Sequence, residues 1–175
     1  RKGARAVHRG GNRGGNRGAC GGPEGRHGAG VLTGLDDDGK SPAWYAAKSG
    51  SVECLRLVHE LCGEGALRGA GGKNGSAAHA ACLGDQGQCL RVLHELCGPS
   101  ILTGLDGCAQ APAAYAAFHG NIACVCVMYE LCGEGALRRA TGKGDSAAHV
   151  ACDGDQGECL RKVHELCGEE MLTSL

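Results

Sequence analysis

No run of about 18 apolar residues occurs in the chain, which excludes a membrane-spanning helix. The first residues are basic, but no apolar stretch follows them, so they do not make a secretory signal. Net charge is nearly absent: 18 Lys and Arg against 19 Asp and Glu give −1, no overall case for nucleic acid or a membrane surface. Aromatics number five, and none lies in the first 30 residues, where base stacking would need them. The chain begins with Arg1 rather than Met, so an upstream targeting segment is expected to be missing.

What charge there is divides unevenly. Residues 1–30 carry seven Lys/Arg and one Glu, a formal +6, and the other 145 residues carry eleven Lys/Arg and eighteen Asp/Glu, a formal −7. A basic arm therefore precedes a mildly acidic body. Glycine (33) and cysteine (13) are abundant. Thirteen is an odd count, and the cysteines follow a sequence period rather than a disulfide framework. A reducing compartment is expected.

The period is 35 residues. Leu61-Cys62, Leu96-Cys97, Leu131-Cys132 and Leu166-Cys167 obey it, as do Cys54, Cys89, Cys124 and Cys159, and Ala46, Ala81, Ala116 and Ala151. A 70-residue register is stronger still: Ser76-Ala77-Ala78-His79 returns as Ser146-Ala147-Ala148-His149, and Gly84-Asp85-Gln86-Gly87 as Gly154-Asp155-Gln156-Gly157. The units thus come in two alternating kinds, as if a pair had been duplicated. Periods of this length mark stacked repeats.

Each unit reads as two short helices. Asp38-Gly39-Lys40-Ser41-Pro42 is a turn and a cap, with Ser41 placed to accept from orphan amides and Pro42 suited to the first helical position. Ala43 to Ser49 is the first helix, stopped by Gly50. Val52 to Cys62 is the second, with Val52, Leu55, Val58 and Leu61 at helical spacing, and Cys54, Leu57 and Leu61 likewise. Gly63 ends it. Gly63-Glu64-Gly65 and the Gly-rich stretch 69–75 form a long connection to the next unit.

These residues resemble the ankyrin family. From the second position on, its Asp-x-Gly-x-Thr-Pro-Leu-His-x-Ala-Ala-x-x-Gly pattern is matched by Asp38-Gly39-Lys40-Ser41-Pro42-Ala43-Trp44-Tyr45-Ala46-Ala47-Lys48-Ser49-Gly50. The third unit keeps Pro112, Ala116-Ala117 and Gly120; the second and fourth keep His79 and His149 but carry Ala77 and Ala147 in place of Pro. The resemblance covers residues 36–175 and departs in length, 35 residues per unit against the family's about 33, with the extra residues assigned to the end of the second helix. Ala replaces the family's Leu before the His, and small Ala and Cys on the first helix favour tight packing. The implied fold is all-α: an ankyrin-like helical repeat solenoid of four helix-turn-helix repeats, about 36–70, 71–105, 106–140 and 141–175. They lie within a repeat domain at 31–175, preceded by the irregular basic Gly/Arg-rich arm at 1–30.

One unit cannot bury its own apolar face, so neighbours stack and the stack's ends need polar faces. Leu57, Val92 and Val127 are equivalent, and the fourth member of that series is Lys162. Lys162 is accordingly expected to cap the C-terminal end, where no repeat follows.

Catalytic and metal chemistry finds no support. The His-Glu pairs at 59–60, 94–95 and 164–165 would need a second His one turn on for a zinc-protease site, and that place holds Gly63, Gly98 and Gly168. Half-buried His with Glu facing water is the expected reading. Zinc needs ligands within about 2.3 Å of one ion, whereas repeat-equivalent cysteines lie roughly 10 Å apart, one helix spacing. Cys is expected to serve as a small buried hydrophobe, with Cys20, Cys108 and Cys126, outside the pattern, as the exposed thiols. No Ser sits on a strand–turn–helix elbow, and Gly69 to Gly75 follows no strand. No catalytic residue, metal or cofactor is assigned, and an enzyme is not expected.

The arm reads Arg9-Gly10-Gly11-Asn12-Arg13-Gly14-Gly15-Asn16-Arg17-Gly18. Arg suits phosphate, so nucleic-acid binding through the arm is one alternative function, weakened by its lack of aromatics; a solvated, flexible segment is the other reading. The sequence Arg161 to Cys167, encoded with G/C-rich codons and one inserted base, would read Arg-Lys-Gly-Ala-Arg-Ala-Val, which is residues 1–7. Part of the arm is therefore expected to be a frame-shifted reading of another repeat, an idea that peptide mass spectra matching the arm as written would sink.

The resemblance implies a non-enzymatic scaffold that binds one or more proteins on the concave face formed by the finger loops and first helices. First-helix candidates are Trp44, Tyr45, Lys48, Leu83, Tyr115, Phe118 and His119. Finger candidates are Asp36, Asp37, Lys40, Arg68, Lys73, Arg138, Arg139 and Lys143. Aromatics and Arg are the usual interface anchors; the alternative for Trp44 and Tyr115 is that they fill gaps between first helices. The Ala/Gly/Cys-rich units also resemble ankyrin proteins of unicellular algae, which implies, as a further alternative, a structural linker in a large assembly such as a chloroplast photosynthetic membrane complex, reaching a membrane only through a partner. The compartment would then be cytoplasm or chloroplast stroma.

Overall fold

The 35-residue period becomes a stack of helix pairs in the computed structural model, which describes residues 29–168. The pairs are α2 (Pro42–Ser49) with α3 (Val52–Cys62), α5 (Ala77–Leu83) with α6 (Gly87–Cys97), α8 (Pro112–Phe118) with α9 (Ile122–Cys132), and α11 (Ala147–Asp153) with α12 (Gly157–Cys167). We number them units 1 to 4. First helices pack in one layer, α2 on α5 on α8 on α11, and second helices in another, α3 on α6 on α9 on α12. This is an all-α, ankyrin-like helical repeat solenoid.

The sequence explains each boundary. Pro42 and Pro112 take the first turn of α2 and α8, where no amide is needed. Gly50 ends α2 in the left-handed region (φ 86°), its N–H bonding back to the last carbonyls. The second helices end at Gly63, Gly98, Gly133 and Gly168, with φ between 71° and 77° and ψ near 180°, a region open essentially to glycine alone. In α3 the stripe Leu55 and Val58 is buried, and in α6 Cys89, Leu90, Val92 and Leu93 are.

The connection after Gly63, read from sequence as loop, is partly helical. A short third helix follows each of the first three pairs, α4 (Glu64–Arg68), α7 (Ser100–Thr103) and α10 (Glu134–Arg138), and α1 (Ala29–Thr33) precedes the first. The apolar residues Leu67, Ile101, Leu102 and Leu137 dock these turns on the core, which a plain loop would not do. The fingers form no strand among the described residues; a single bridge joins Gln110 to Thr141. Neighbouring fingers are tied by Gly107 N–H to Lys73 O (3.0 Å) and Gly142 N–H to Ala109 O (2.6 Å).

Three expectations need correction. Ser41 does not cap α2: its Oγ is buried without a hydrogen-bond partner, because the residue is held by its own N–H on Ala70 O (2.7 Å). Lys162 is not the outward cap. A Cβ on Gly87 would lie 3.2 Å from Val127 Cγ2, so that position faces the preceding pair, not the following one. Leu57, with no helix pair ahead of it among the described residues, is 49 % exposed, whereas Lys162 is half-buried and paired with Glu165 (2.9 Å). Among the thiols, Cys108 is exposed as expected, Cys126 is half-buried, and Cys20 lies outside the described residues. Cys54 and Cys152 are exposed although their repeat-equivalents Cys89 and Cys82 are fully buried, because they sit in the first and the last of the described helix pairs.

Candidate functional site

The first-helix layer has two sides. Its small residues, Ala43, Ala47, Ala78, Ala81, Ala114 and Ala117, face the core. Its larger ones line the open side beneath the fingers, where two clefts lie in line. One, about 410 Å³, is walled by Lys40, Trp44, Lys48, His79, Leu83 and Tyr115. The other, about 530 Å³, is walled by Tyr115, Phe118, His119, Asp145, His149 and Asp153. Tyr115 is the partition between them.

Trp44 is the floor of the first cleft rather than a projecting anchor. It is 5 % exposed, wedged so that a Cβ on Gly71 would lie 2.9 Å from its Cδ1. Lys40 Nζ and Lys48 Nζ stand over its ring at 4.8 and 5.2 Å from the centroid as cation–π contacts; Asp38 lines the same cleft and pairs with Lys40 (3.2 Å), which leaves Lys48 as its unpaired cation among the described residues. Tyr45 meets the ring edge-on, 5.3 Å between centroids, and is 47 % exposed. The second cleft differs in sign, with the carboxylates of Asp145 and Asp153 beside two histidines. Phe118, 43 % exposed, stacks edge-to-face on His119 at its rim.

Tyrosine and aspartate fix the fingers of units 1 and 3. Asp36 Oδ1 accepts from the amides of Asp38 (3.0 Å) and Lys40 (2.9 Å), and Oδ2 accepts from Tyr45 OH (2.6 Å). Asp106 repeats this with Cys108, Gln110 and Tyr115 (2.8, 2.9 and 2.6 Å). The Tyr45 hydroxyl and these amides lower the Asp36 pKa, and the bond to Asp36 raises that of Tyr45. Burial and the Asp106 carboxylate push the Tyr115 phenol well above its ordinary range.

Units 2 and 4 use a different device. Ser76 and His79 form a capping box at the start of α5, Ser76 N–H donating to His79 Nδ1 (3.0 Å) and Ser76 Oγ accepting from Ala78 N–H (3.3 Å). His79 Nε2 lies 3.1 Å from Gln110 O in the next finger. Ser146 and His149 repeat the box at α11. The signal in the sequence for these histidines is Ser-x-x-His at both sites, a version of the capping pattern with His in the place of Glu.

The remaining candidates divide between engaged and open. Arg68 pairs with Glu64 and donates to Cys97 O (2.7 Å) and Ser100 Oγ (2.8 Å), so it staples unit 1 to unit 2. Arg138 pairs with Glu134. Asp37, Lys73, Arg139 and Lys143 are exposed, the last two beside a shallow hollow of about 480 Å³ at the third and fourth fingers. Buried Cys89 and Cys159 have thiols pushed up to about 11 by burial, which suits packing rather than reactivity. No group of three or more His, Cys, Asp or Glu that could hold a metal occurs among the described residues, and no helix there is long and apolar enough to cross a membrane. Most of the basic arm, 1–28, lies outside the described residues.

No family model matches the chain, and no curated protein matches it either. Among solved structures it is similar to the crystal structure of the human ASB11 ankyrin repeat domain, with 21 % identity and a TM-score of 0.47 over 73 % of this chain and 69 % of that one. The likeness is loose.

Proposed function

We propose that the chain is a non-enzymatic protein-binding scaffold whose partner lies across the open side of the first helices, under the fingers. The observation that carries this reading is the pair of clefts that meet at Tyr115 and differ in charge, Lys48 and the Asp38-paired Lys40 over Trp44 in one and Asp145 with Asp153 in the other. Exposed Tyr45 and Phe118 at the rims supply apolar area that costs little side-chain entropy to order. A partner segment spanning both clefts would place acidic side chains over Trp44 and basic ones beside Asp153. Such complementarity governs specificity and on-rate more than affinity.

The test compares wild-type chain with a chain carrying Lys48→Glu, Tyr45→Ala and Asp153→Lys, all on exposed sites. Cross-linking in an extract of the native source identifies a partner, which is then purified and titrated. Emission of Trp44, the single tryptophan, reports its binding. Selective loss of that partner by the variant, with a Trp44 shift on wild-type binding, supports the reading. Equal binding by both chains sinks it.

A further inference from the structure

At the seam between units 2 and 3, α9 presents Cys124, Val127, Glu130 and Leu131 to the preceding unit. Val127 seats against Gly87, Glu130 pairs with Arg91, and the Cys124 amide donates to Asp85 Oδ1 (3.2 Å). Cys124 and Val127 are buried. The matching residues of α3 are Cys54, Leu57, Glu60 and Leu61, and they face outward: Leu57 is 49 % and Leu61 58 % exposed, and Cys54 is exposed. Glu60 has no ion-pair partner among the described residues, although Glu95 and Glu130 at its position both pair with an Arg of the unit before. In the last described helix pair, α12 offers what such a face receives. Gly154-Asp155-Gln156-Gly157 repeats Gly84-Asp85-Gln86-Gly87. Asp155 holds the same left-handed conformation as Asp85 (φ 55° and 54°). Arg161 stands where Arg56 and Arg91 stand, turned back onto Glu158 with 73 % of its side chain exposed.

We propose that the outer face of α3 is an open repeat seam and that the α12 end of a second copy of this chain fills it, stacking head to tail. Unit 4 followed by unit 1 reproduces the order of unit 2 followed by unit 3. Arg161 of one copy then meets Glu60 of the next, Asp155 caps the Cys54 amide, and Leu57 settles on Gly157, where open space surrounds the glycine. α1 already sits against α2 and α3 in the place a third helix takes between units. The contact uses different surfaces on the two partners, so it does not close and gives open chains rather than a dimer.

Sedimentation velocity of the full chain under reducing conditions, over rising concentration, tests this. The expected result is a mean mass that climbs without a plateau at the dimer. A chain with Leu57→Lys and Leu61→Lys should lose association while keeping its helical signal and its unfolding transition, since both side chains are half-exposed in the single copy. Glu60→Arg and Arg161→Glu should each weaken association about threefold or more, because every seam then sets like charges together. Mixed in equal amounts, those two variants restore opposite charges at every alternating seam and should recover it. A monomer at all concentrations, a closed dimer, association that survives the two lysines, or a mixture no better than its parts would each overturn the proposal.

Discussion

The seams from a first-kind to a second-kind unit, 1 to 2 and 3 to 4, turn on glycine, whereas the seam from unit 2 to unit 3 turns on aspartate. In the former, Gly50 and Gly120 take the left-handed position, leaving room for the amides of Gln86 and Gln156, whose Nε2 donate to Gly84 O and Gly154 O (2.7 Å each). In the latter, Asp85 takes it despite its side chain and uses its carboxylate on the next second helix, while Asn121 Nδ2 donates to Cys82 O (2.6 Å). A glycine seam permits close backbone approach; an aspartate seam adds side-chain hydrogen bonds across the gap. Strain at a non-glycine left-handed residue persists where surrounding contacts hold it, and Asp85 has such contacts.

The glycine seam should break most sharply at Gly84. A Cβ there would collide with the Lys48 carbonyl oxygen, a backbone atom that cannot swing aside. Gly84→Ala is therefore expected to destabilise the chain by about 3 kcal/mol, at the upper end for overpacking, read from urea unfolding. Gly157→Ala, where nothing lies within 4 Å, should stabilise by about 0.5 kcal/mol. Equal effects at the two sites would mean that close approach does not govern the seam.

The aspartate seam also contains the His79 box, and here acidity is the probe. Burial lowers the His79 pKa, outweighing the carbonyl of Gln110 and the Asp106 carboxylate, which raise it; Tyr115 meets its ring edge-on (5.5 Å) and stays neutral. The neutral ring accepts from Ser76 N–H at Nδ1, which a protonated ring cannot do. Because the folded pKa lies below the unfolded one, this stability is complete above about pH 6.5 and is lost as pH falls through the folded value. His79→Ala should cost about 2 kcal/mol and flatten the acid side of the stability profile, since two groups lose partners at a site 2 % exposed. His149→Ala, at the exposed copy of the box, should cost about 0.5 kcal/mol. An unchanged acid slope in the His79 variant would assign it to other groups.

The reach of sequence reasoning follows the same division. The helix pairs, their glycine stops and the buried positions of the middle units are local or periodic, and α3 runs from Val52 to Cys62 as the spacing predicts. The direction of stacking is neither: the period makes Leu57, Val92, Val127 and Lys162 one series but does not encode that the series faces the preceding pair. The aromatic candidates do gather on the open side of the first helices, yet Trp44 is its floor and Asp36 is committed to holding a finger. Polar roles such as those of Asp85, Asn121 and Arg68 depend on partners 29 to 39 residues away, a separation that no helical period encodes.

Asn121 gives a smaller contrast within the aspartate seam. Asn121→Ser, the residue that unit 1 carries at Ser51, removes the bonds to Cys82 O and Leu83 O and should cost about 1 kcal/mol by thermal unfolding. A neutral result would place the seam's hold in Asp85 and the apolar contacts alone.

The smallest effect belongs to a feature both seams share. Arg56 grips Glu95 with two bonds (3.2 and 2.7 Å) across the glycine seam, and Arg91 pairs with Glu130 across the aspartate seam, each pair about half exposed. The third place in the series is Cys126, so Glu165 turns to Lys162 on its own helix instead. Exposed pairs are screened, and Glu95→Gln or Glu130→Gln should each lower stability by only about 0.5 kcal/mol, less still in high salt. Cys126→Arg supplies the missing donor opposite Glu165. If the ladder contributes at all, that substitution should recover a few tenths of a kcal/mol at low ionic strength and none in molar salt, a difference that paired melts of the same two chains would resolve.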